Sequence, residues 1–519
     1  MKKKIFPLAC ILLLGLSTAC SNWMEVLPTN EQVTPRYWQT KEDVESILAS
    51  AYQNLRSQVS ACLIDWSELR ASSLVVRSNT TKLKLQNFKM TSDNSLCSWA
   101  GMYKVLNLAN SVIHYAPEVQ KKDETYLQAY VNGHLVEAEF IRALTYFYLV
   151  RNFKEVPLVV NPYIDDSEPF SIAKSSEEEI IAQIKADILH ALSLDPKEYY
   201  DDDEWEGATK GRATKWALYA LMADVCLWNG DYADCIDYCD RLIDARSNAK
   251  SNFYPAFMDD PDNWFSIFFD GNTNESIFEL NWQKQTYDQT SGSPSTLFPI
   301  STSSTYLYSV AMSQRLDEEA SLVNAQGATS VRAEWGAFAA ISSGESQHVV
   351  WKYKGYQNAQ NTSLVRSYDD ANWIIYRMAD VLLMKAEALV WSQGDATEAL
   401  QLINRVRERA RLDALTADVD IDPANQLEML RAVLYERDIE FAAEGKRWYD
   451  LMRFGRSLDY KYKSEFINII LENNETESET WVASVLQDPY GWYLPIRESE
   501  LETNTLLEQN PYYASTSGN

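Results

Sequence analysis

Four histidines in a chain of 519 residues leave little scope for imidazole acid–base or metal chemistry. Cysteine is nearly as scarce. Of the seven present, Cys10 and Cys20 lie in the N-terminal segment, and the odd remainder is no disulfide framework. Cys235 and Cys239 sit one helical turn apart, but with no histidine near them they read as small buried hydrophobes rather than a metal pair. Glycine-rich phosphate or dinucleotide turns are missing, as are a G-x-S-x-G elbow and an H-E-x-x-H helix. No cofactor or bound metal is therefore expected. Basic charge is also short: 47 Lys and Arg against 74 Asp and Glu give a net charge of −27, which disfavours a nucleic-acid partner.

What is present is aromatic surface and helical periodicity. Sixteen Trp and 30 Tyr supply flat apolar faces with polar handles, suited to cores and to binding surfaces alike. The N-terminus reads as a signal peptide. "MKKK" is the basic region, and "IFPLACILLLGL" is an apolar run too short to span a bilayer as a mature helix. "STAC" places small residues before Cys20, which is expected to become the lipidated first residue of an anchored protein. Cleavage of residues 1–19 removes three lysines and takes the net charge from −27 to −30.

Amphipathic helices are predicted over Lys41–Arg56, Cys97–Ala116, Tyr126–Phe153 and Ser175–Pro196. Ser176 and Glu179 have the spacing of a capping box. Two later segments, Arg212–Ile243 and Met378–Ala410, share "ADV", a Gly-Asp turn and a second amphipathic run, the layout of stacked helical hairpins of tetratricopeptide (TPR) type. The fold class is thus mainly α, a TPR-like scaffold with a loop-rich insertion carrying short strands. The expected body covers roughly residues 40–250 and 371–456, with the insertion at roughly 251–370 and a closing segment at 457–519. In the insertion, "NESIFELNW" and "HVVWKYKGY" read as strands and "SGSPSTLFPISTSSTYLYS" as loop.

A sugar presents CH faces that Trp or Tyr can cover and hydroxyl edges that Asn, Asp or Arg can bond. Aromatics in loop-like polar context are therefore the candidate ligand contacts: Trp66, Trp282, Tyr287, Tyr306 and Trp335, with Arg70, Arg77 and Asn79 as polar partners. Trp99, Tyr146 and Trp216 lie on helical faces and read as core. The acidic run "DDDEWEG" fails as a calcium loop, because Arg212 falls where a bidentate Glu is required. Carboxylate pairs suited to glycoside hydrolysis carry no weight among so many acids.

The densest charge is in "LYERDIEFAAEGKRWYDLMRFGR". Glu444 and Arg447 have the spacing of a helical ion pair, Gly445 permits a backbone break, and aromatic anchors flank both sides. This reads as a structural latch between helices rather than an acid–base site. The stretch also resembles the C-terminal signature of the SusD/RagB family of outer-membrane nutrient-binding lipoproteins. Glu436, Arg437, Glu440, Glu444, Gly445, Arg447, Trp448, Asp450, Leu451 and Arg453 match it, while Asp438 and Phe441 depart. "EAEFIRALTYFYLVRNFKEVPLV" is similar to another family motif, with Lys154 and Glu155 in place of glycines. "YLPIRESELETNTLLEQNPYY" resembles the closing motif, with Arg497 in place of a proline.

The resemblance implies a single helical domain over residues 20–519, anchored in the outer membrane and facing outward. It implies oligosaccharide or polysaccharide as ligand and a SusC-like TonB-dependent transporter as partner. It makes the signature residues structural and puts ligand sites in the loop after the first long helix and in the insertion. Peptide or glycopeptide nutrients are the alternative ligands, and a helical glycosidase is the enzymatic one.

Overall fold

The computed structural model describes residues 37–163, 170–200, 208–246, 254–299, 304–325, 327–334, 336–340, 347–357, 363–475 and 478–516. Cys20, Trp335 and the acidic run at 201–207 lie outside them. Helix α1 (Lys41–Ile64) starts at Thr40, whose N–H donates to Asp43 at 2.8 Å, and runs on well past Arg56. Its inward stripe is Val44, Leu48, Ala51, Leu55 and Val59, at helical spacing. It then widens into a buried π-helical turn, Asp65–Leu69.

Helices α2 (Ala100–Gln120), α3 (Gln128–Phe153) and α4 (Glu177–Ser193) complete the first half of the body. The periodicity suggested one inward side for α3. Instead every residue from Val136 to Phe153 is buried, because α1, α2 and α4 all pack on it. Charged groups on it are consequently paired: Arg142 holds Asp187 of α4 at 2.6 and 2.8 Å. The capping box at the start of α4 forms, with Ser176 Oγ accepting from Glu179 N at 3.2 Å and Glu179 accepting from Ser176 N at 2.9 Å.

The two hairpins follow. Helices α5 (Lys215–Asn229) and α6 (Tyr232–Ile243) turn at Gly230, whose φ of +84° suits glycine. Helix α7 (Val310–Ala325) lies inside the insertion, where only loops and strands were expected; a run with three Ala, two Leu and two Glu and no Gly or Pro forms it. Helices α8 (Met378–Trp391) and α9 (Ala396–Arg409) form the second hairpin, with Gln393 rather than Gly394 in the left-handed conformation. The hairpins stack through α6 on α8. Cys235 and Cys239 are fully buried at that face. Helices α10 (Gln426–Glu440) and α11 (Arg447–Tyr460) close the body. The architecture is mainly α and TPR-like.

The strands are short and antiparallel. Strand β1 (Leu74–Val76) follows the π-helical turn, and β2 (Ser276–Leu280) and β3 (Tyr306–Tyr308) belong to the insertion. They are followed by β4 (Phe338–Ala340), β5 (His348–Val350), β6 (Gly355–Gln357), β7 (Ser363–Val365) and β8 (Trp373–Arg377). Strand β1 pairs with β3, β2 with β8, β4 with β5 and β6 with β7. Tyr306 is therefore on a strand, opposite Val76, not in a loop. These pairings stitch the insertion to both ends of the helical body.

The charged stretch is buried. Arg377 at the end of β8 bonds Glu440 at 2.6 Å, Glu444 at 2.9 Å and Glu275 at 3.0 Å. Arg409 bonds Glu275 at 2.5 Å and also reaches Glu440. Arg332 bonds Glu319, Glu436 and Glu440 at 2.7–3.0 Å, and Lys352 bonds Glu444 at 2.7 Å. Glu444 and Arg447 do not pair with each other; Arg447 lies 3.1 Å from Asp438 instead. The break at Gly445, with φ of +79°, sends the two side chains to different partners. A Cβ there would meet Leu63 Cγ at 2.4 Å. Next to this network, a cavity lined by Asp380, Arg437, Glu444, Lys446, Asp450 and Arg453 holds about 20 Å³, enough for a water and no larger ligand. The stretch is a latch joining insertion to helices.

Two buried acids respond oppositely to pH. Burial alone would raise the Glu440 pKa, but Arg409, Arg377 and Arg332 outweigh it and hold the carboxyl well below its ordinary 4.5. Its stabilising charge is present above pH 4.5 and is lost as pH falls below that. Glu440→Gln leaves the arginines partly unpaired and should cost about 3–5 kcal/mol at pH 7 in a denaturant titration. Glu68 accepts from Gly445 N at 2.8 Å and Lys446 N at 3.0 Å. Burial, reinforced by Asp438, pushes its pKa up from 4.5 to about 7. The folded state then binds the extra proton between these values, so stability falls as pH rises through that window. Glu68→Gln keeps an acceptor without the charge; it should match wild type near pH 4 and exceed it by about 3 kcal/mol at pH 8.

Candidate functional site: a two-chambered groove beside the first helix

The outward face of α1 carries polar and aromatic residues at Glu45, Tyr52, Gln53 and Arg56. Against it, α3 and the loop after β2 enclose a cleft of about 610 Å³. A second cleft of about 460 Å³ continues toward the π-helical turn and β3. Gln53, Arg56 and Trp282 line both. Trp282 is thus the partition of one groove with two chambers. Its indole N–H donates to Ser291 O at 2.9 Å, its backbone N–H donates to Asn372 Oδ1 at 2.9 Å, and the Arg56 guanidinium stacks on its ring at 5.2 Å. Arg56 is itself fixed, donating to Asn281 O at 2.7 Å and Gln289 Oε1 at 2.8 Å.

In the larger chamber Glu137 of α3 is the organising acid. It accepts from Tyr52 Oη at 2.8 Å and from Arg212 at 2.6 and 3.0 Å. Tyr287 stands at the rim on a single helical turn and is 52% exposed, so its ring is available. In the smaller chamber the buried Asp65 receives Tyr306 Oη at 2.7 Å and the ammonium of Lys82, which also reaches Tyr306 Oη at 2.5 Å. Burial raises the Asp65 pKa, and Lys82 and Tyr306 act against that rise.

The groove lining includes three of the residues singled out from sequence: Tyr287 is exposed, whereas Trp282 at 6% and Tyr306 at 2% exposure are largely buried in its wall. Trp66 and Arg70 have no surface to offer. The helix and its π-helical turn aim both inward: the Trp66 indole donates to Leu96 O at 2.8 Å, and Arg70 donates to Asn152 at 3.2 Å and lies over Trp448 at 4.3 Å. Asn79 caps the helix Thr80–Gln86 by accepting from Lys82 N at 3.1 Å. Arg77 is exposed and donates to Gln347 at 2.8 Å. Neither lines the groove. Trp99, Tyr146 and Trp216 are buried. Tyr52, Arg56, Glu137 and Arg212 also line the groove and fall outside the loop-based expectation. The available signal was the polar face of α1, where Tyr52 and Arg56 are four residues apart.

Two family models match this chain. One, described as the SusD family, matches residues 335–513, and the other, described as starch-binding associating with outer membrane, matches residues 22–227. The chain belongs to the SusD/RagB family. SusD-like protein P2 of Formosa agariphila is 26% identical over 87% of this chain and 91% of its own length. A SusD superfamily crystal structure from Bacteroides thetaiotaomicron has the same fold, with a TM-score of 0.71 and 21% identity over 92% of this chain and 99% of that one. A laminarin-binding SusD-like protein has it too, with a TM-score of 0.64 and 20% identity over 91% and 99%. SusD-family membership brings association with the outer membrane and a starch- and glycan-binding context. Lys154, where the family motif has glycine, ends the helix with φ of +67° and ψ of −60°, its N–H donating to Val150 O.

The Asp65–Lys82 pair in the smaller chamber is a buried acid answered by one cation. Lys82→Met should cost about 3 kcal/mol by stranding the carboxylate, while Asp65→Asn combined with Lys82→Met should recover most of that loss. Denaturant midpoints of both variants check this.

Proposed function

We propose that this chain is a lipid-anchored glycan-binding protein of the outer membrane, exposed at the cell surface. It captures oligosaccharide in the groove around Trp282 and passes it to a SusC-like TonB-dependent transporter. Cys20 carries the anchor. The observation that carries the reading is the arrangement at Trp282: an aromatic partition between two open chambers, walled by acids and an arginine and rimmed by the exposed Tyr287. A ring with one polar handle covers a sugar face while neighbouring carboxylates and guanidinium groups bond its edge. The family description and the laminarin-binding relative support the same ligand class.

The protein acts by binding and release, without turnover. Two of the four groove acids favour this: Glu137 is held by Tyr52 and Arg212, and Asp65 by Lys82 and Tyr306, so both are committed to a fixed partner set. Calorimetry against a polysaccharide panel, with an assay for new reducing ends in the same samples, tests the proposal. Saturable binding without new ends is expected. Trp282→Ala should weaken it by about 2 kcal/mol, roughly thirtyfold, with a smaller loss for Tyr287→Ala. Unchanged affinity in both variants would move the site elsewhere, and new reducing ends would make the protein a hydrolase.

A further inference from the structure

The groove contains four acids and three bases, and their pairing constrains the ligand further. Lys82 is matched by Asp65, and Arg212 is matched twice over by Glu137. Arg56, the third cation, already serves two amide oxygens and the face of Trp282. Two acids remain. Glu279 accepts from Asn272 N and from Asn372 Nδ2, each at 2.8 Å, and is buried. Glu45 is at the mouth of the larger chamber, with its side chain 44% exposed, 3.6 Å from Lys41 and 3.7 Å from His134. Burial pushes the His134 pKa down to about 4, so this imidazole adds no positive charge at neutral pH.

We infer that the groove selects uncharged oligosaccharides over those bearing carboxylate or sulfate groups; this rests on the glycan reading of the same groove. A hydroxyl donates to a carboxylate oxygen and accepts from a guanidinium, so a neutral sugar can use both kinds of wall. The carboxylate or sulfate group of a charged sugar offers acceptors only. It meets cations already neutralised and an exposed glutamate at the entrance. Like charges brought together in a partly desolvated groove discriminate strongly, and the net charge of −27 on the chain adds to the bias.

Affinity electrophoresis of the full-length protein tests this. Gels would contain starch, laminarin, mannan or xyloglucan, or the partly carboxymethylated derivative of each, at about 0.15 M salt, where only charges within about 8 Å of the ligand count. The expected result is retardation by at least one neutral polymer, lost in Trp282→Ala, and about tenfold or more weaker for its carboxymethylated form. Glu45→Gln should narrow that gap. Equal or stronger retention of the charged derivative, still dependent on Trp282, would overturn the selectivity and leave the glycan reading standing. Retention by none of the polymers, neutral or charged, would overturn the glycan reading and this inference with it. A gap that Glu45→Gln leaves unchanged would overturn the part given to the groove entrance.

Discussion

The buried ion-pair network around Arg377 is the constraint on which the rest of the structure depends. Arg377, Arg409 and Arg332 meet Glu275, Glu319, Glu436, Glu440 and Glu444 away from solvent. Buried charges are costly to desolvate, and such a pair adds little net stability over a well-packed apolar substitute. Its effect is on specificity. Glu275, Glu319 and Arg332 come from the insertion, Arg377 from the last strand, Arg409 from the second hairpin, and Glu436 to Glu444 from the signature. A misplaced insertion would leave several charges buried without partners. The network therefore admits one seating of the insertion on the helices.

That seating makes the groove. Strand β2 leaves the network at Glu275 and ends just before Trp282, while β8 runs antiparallel to it and returns to Arg377. Asn372, ahead of β8, accepts from the backbone N–H of Trp282. The indole is thus held from both strands of one ladder and from Arg56 on α1. On the other side, Gly445 and Lys446 tie the signature to Glu68 in the π-helical turn, and Asp65 three residues earlier lines the smaller chamber. The latch itself is closed to ligands. It positions the two walls of the groove.

Much of this was legible in the sequence, for physical reasons that also explain the gaps. Period-3.6 stripes and caps announced the helices, and the shared "ADV" and Gly-Asp pattern announced the hairpins. The latch was legible because acids, bases, a glycine and aromatics coincide in one short stretch. Its pairings were not, because Arg332, Lys352, Arg377 and Arg409 are remote in sequence. Trp66 and Arg70 look like loop residues only if α1 stops at Arg56; its continuation into a π-helical turn buries both. Half of the groove wall is helical and was overlooked, since a polar helical face ordinarily means solvent. Trp282 stood out because it closes a strand pattern in polar context.

The most direct measurement is the structure of the protein with a bound oligosaccharide. Sugar rings are expected against the Trp282 edge of the groove, with density in one or both flanking chambers, hydroxyls bonded to accessible lining groups such as Gln53 or Glu45, and the Arg377 network unmoved. Sugar bound on another face, with the Trp282 groove empty at saturating ligand, would contradict this expectation.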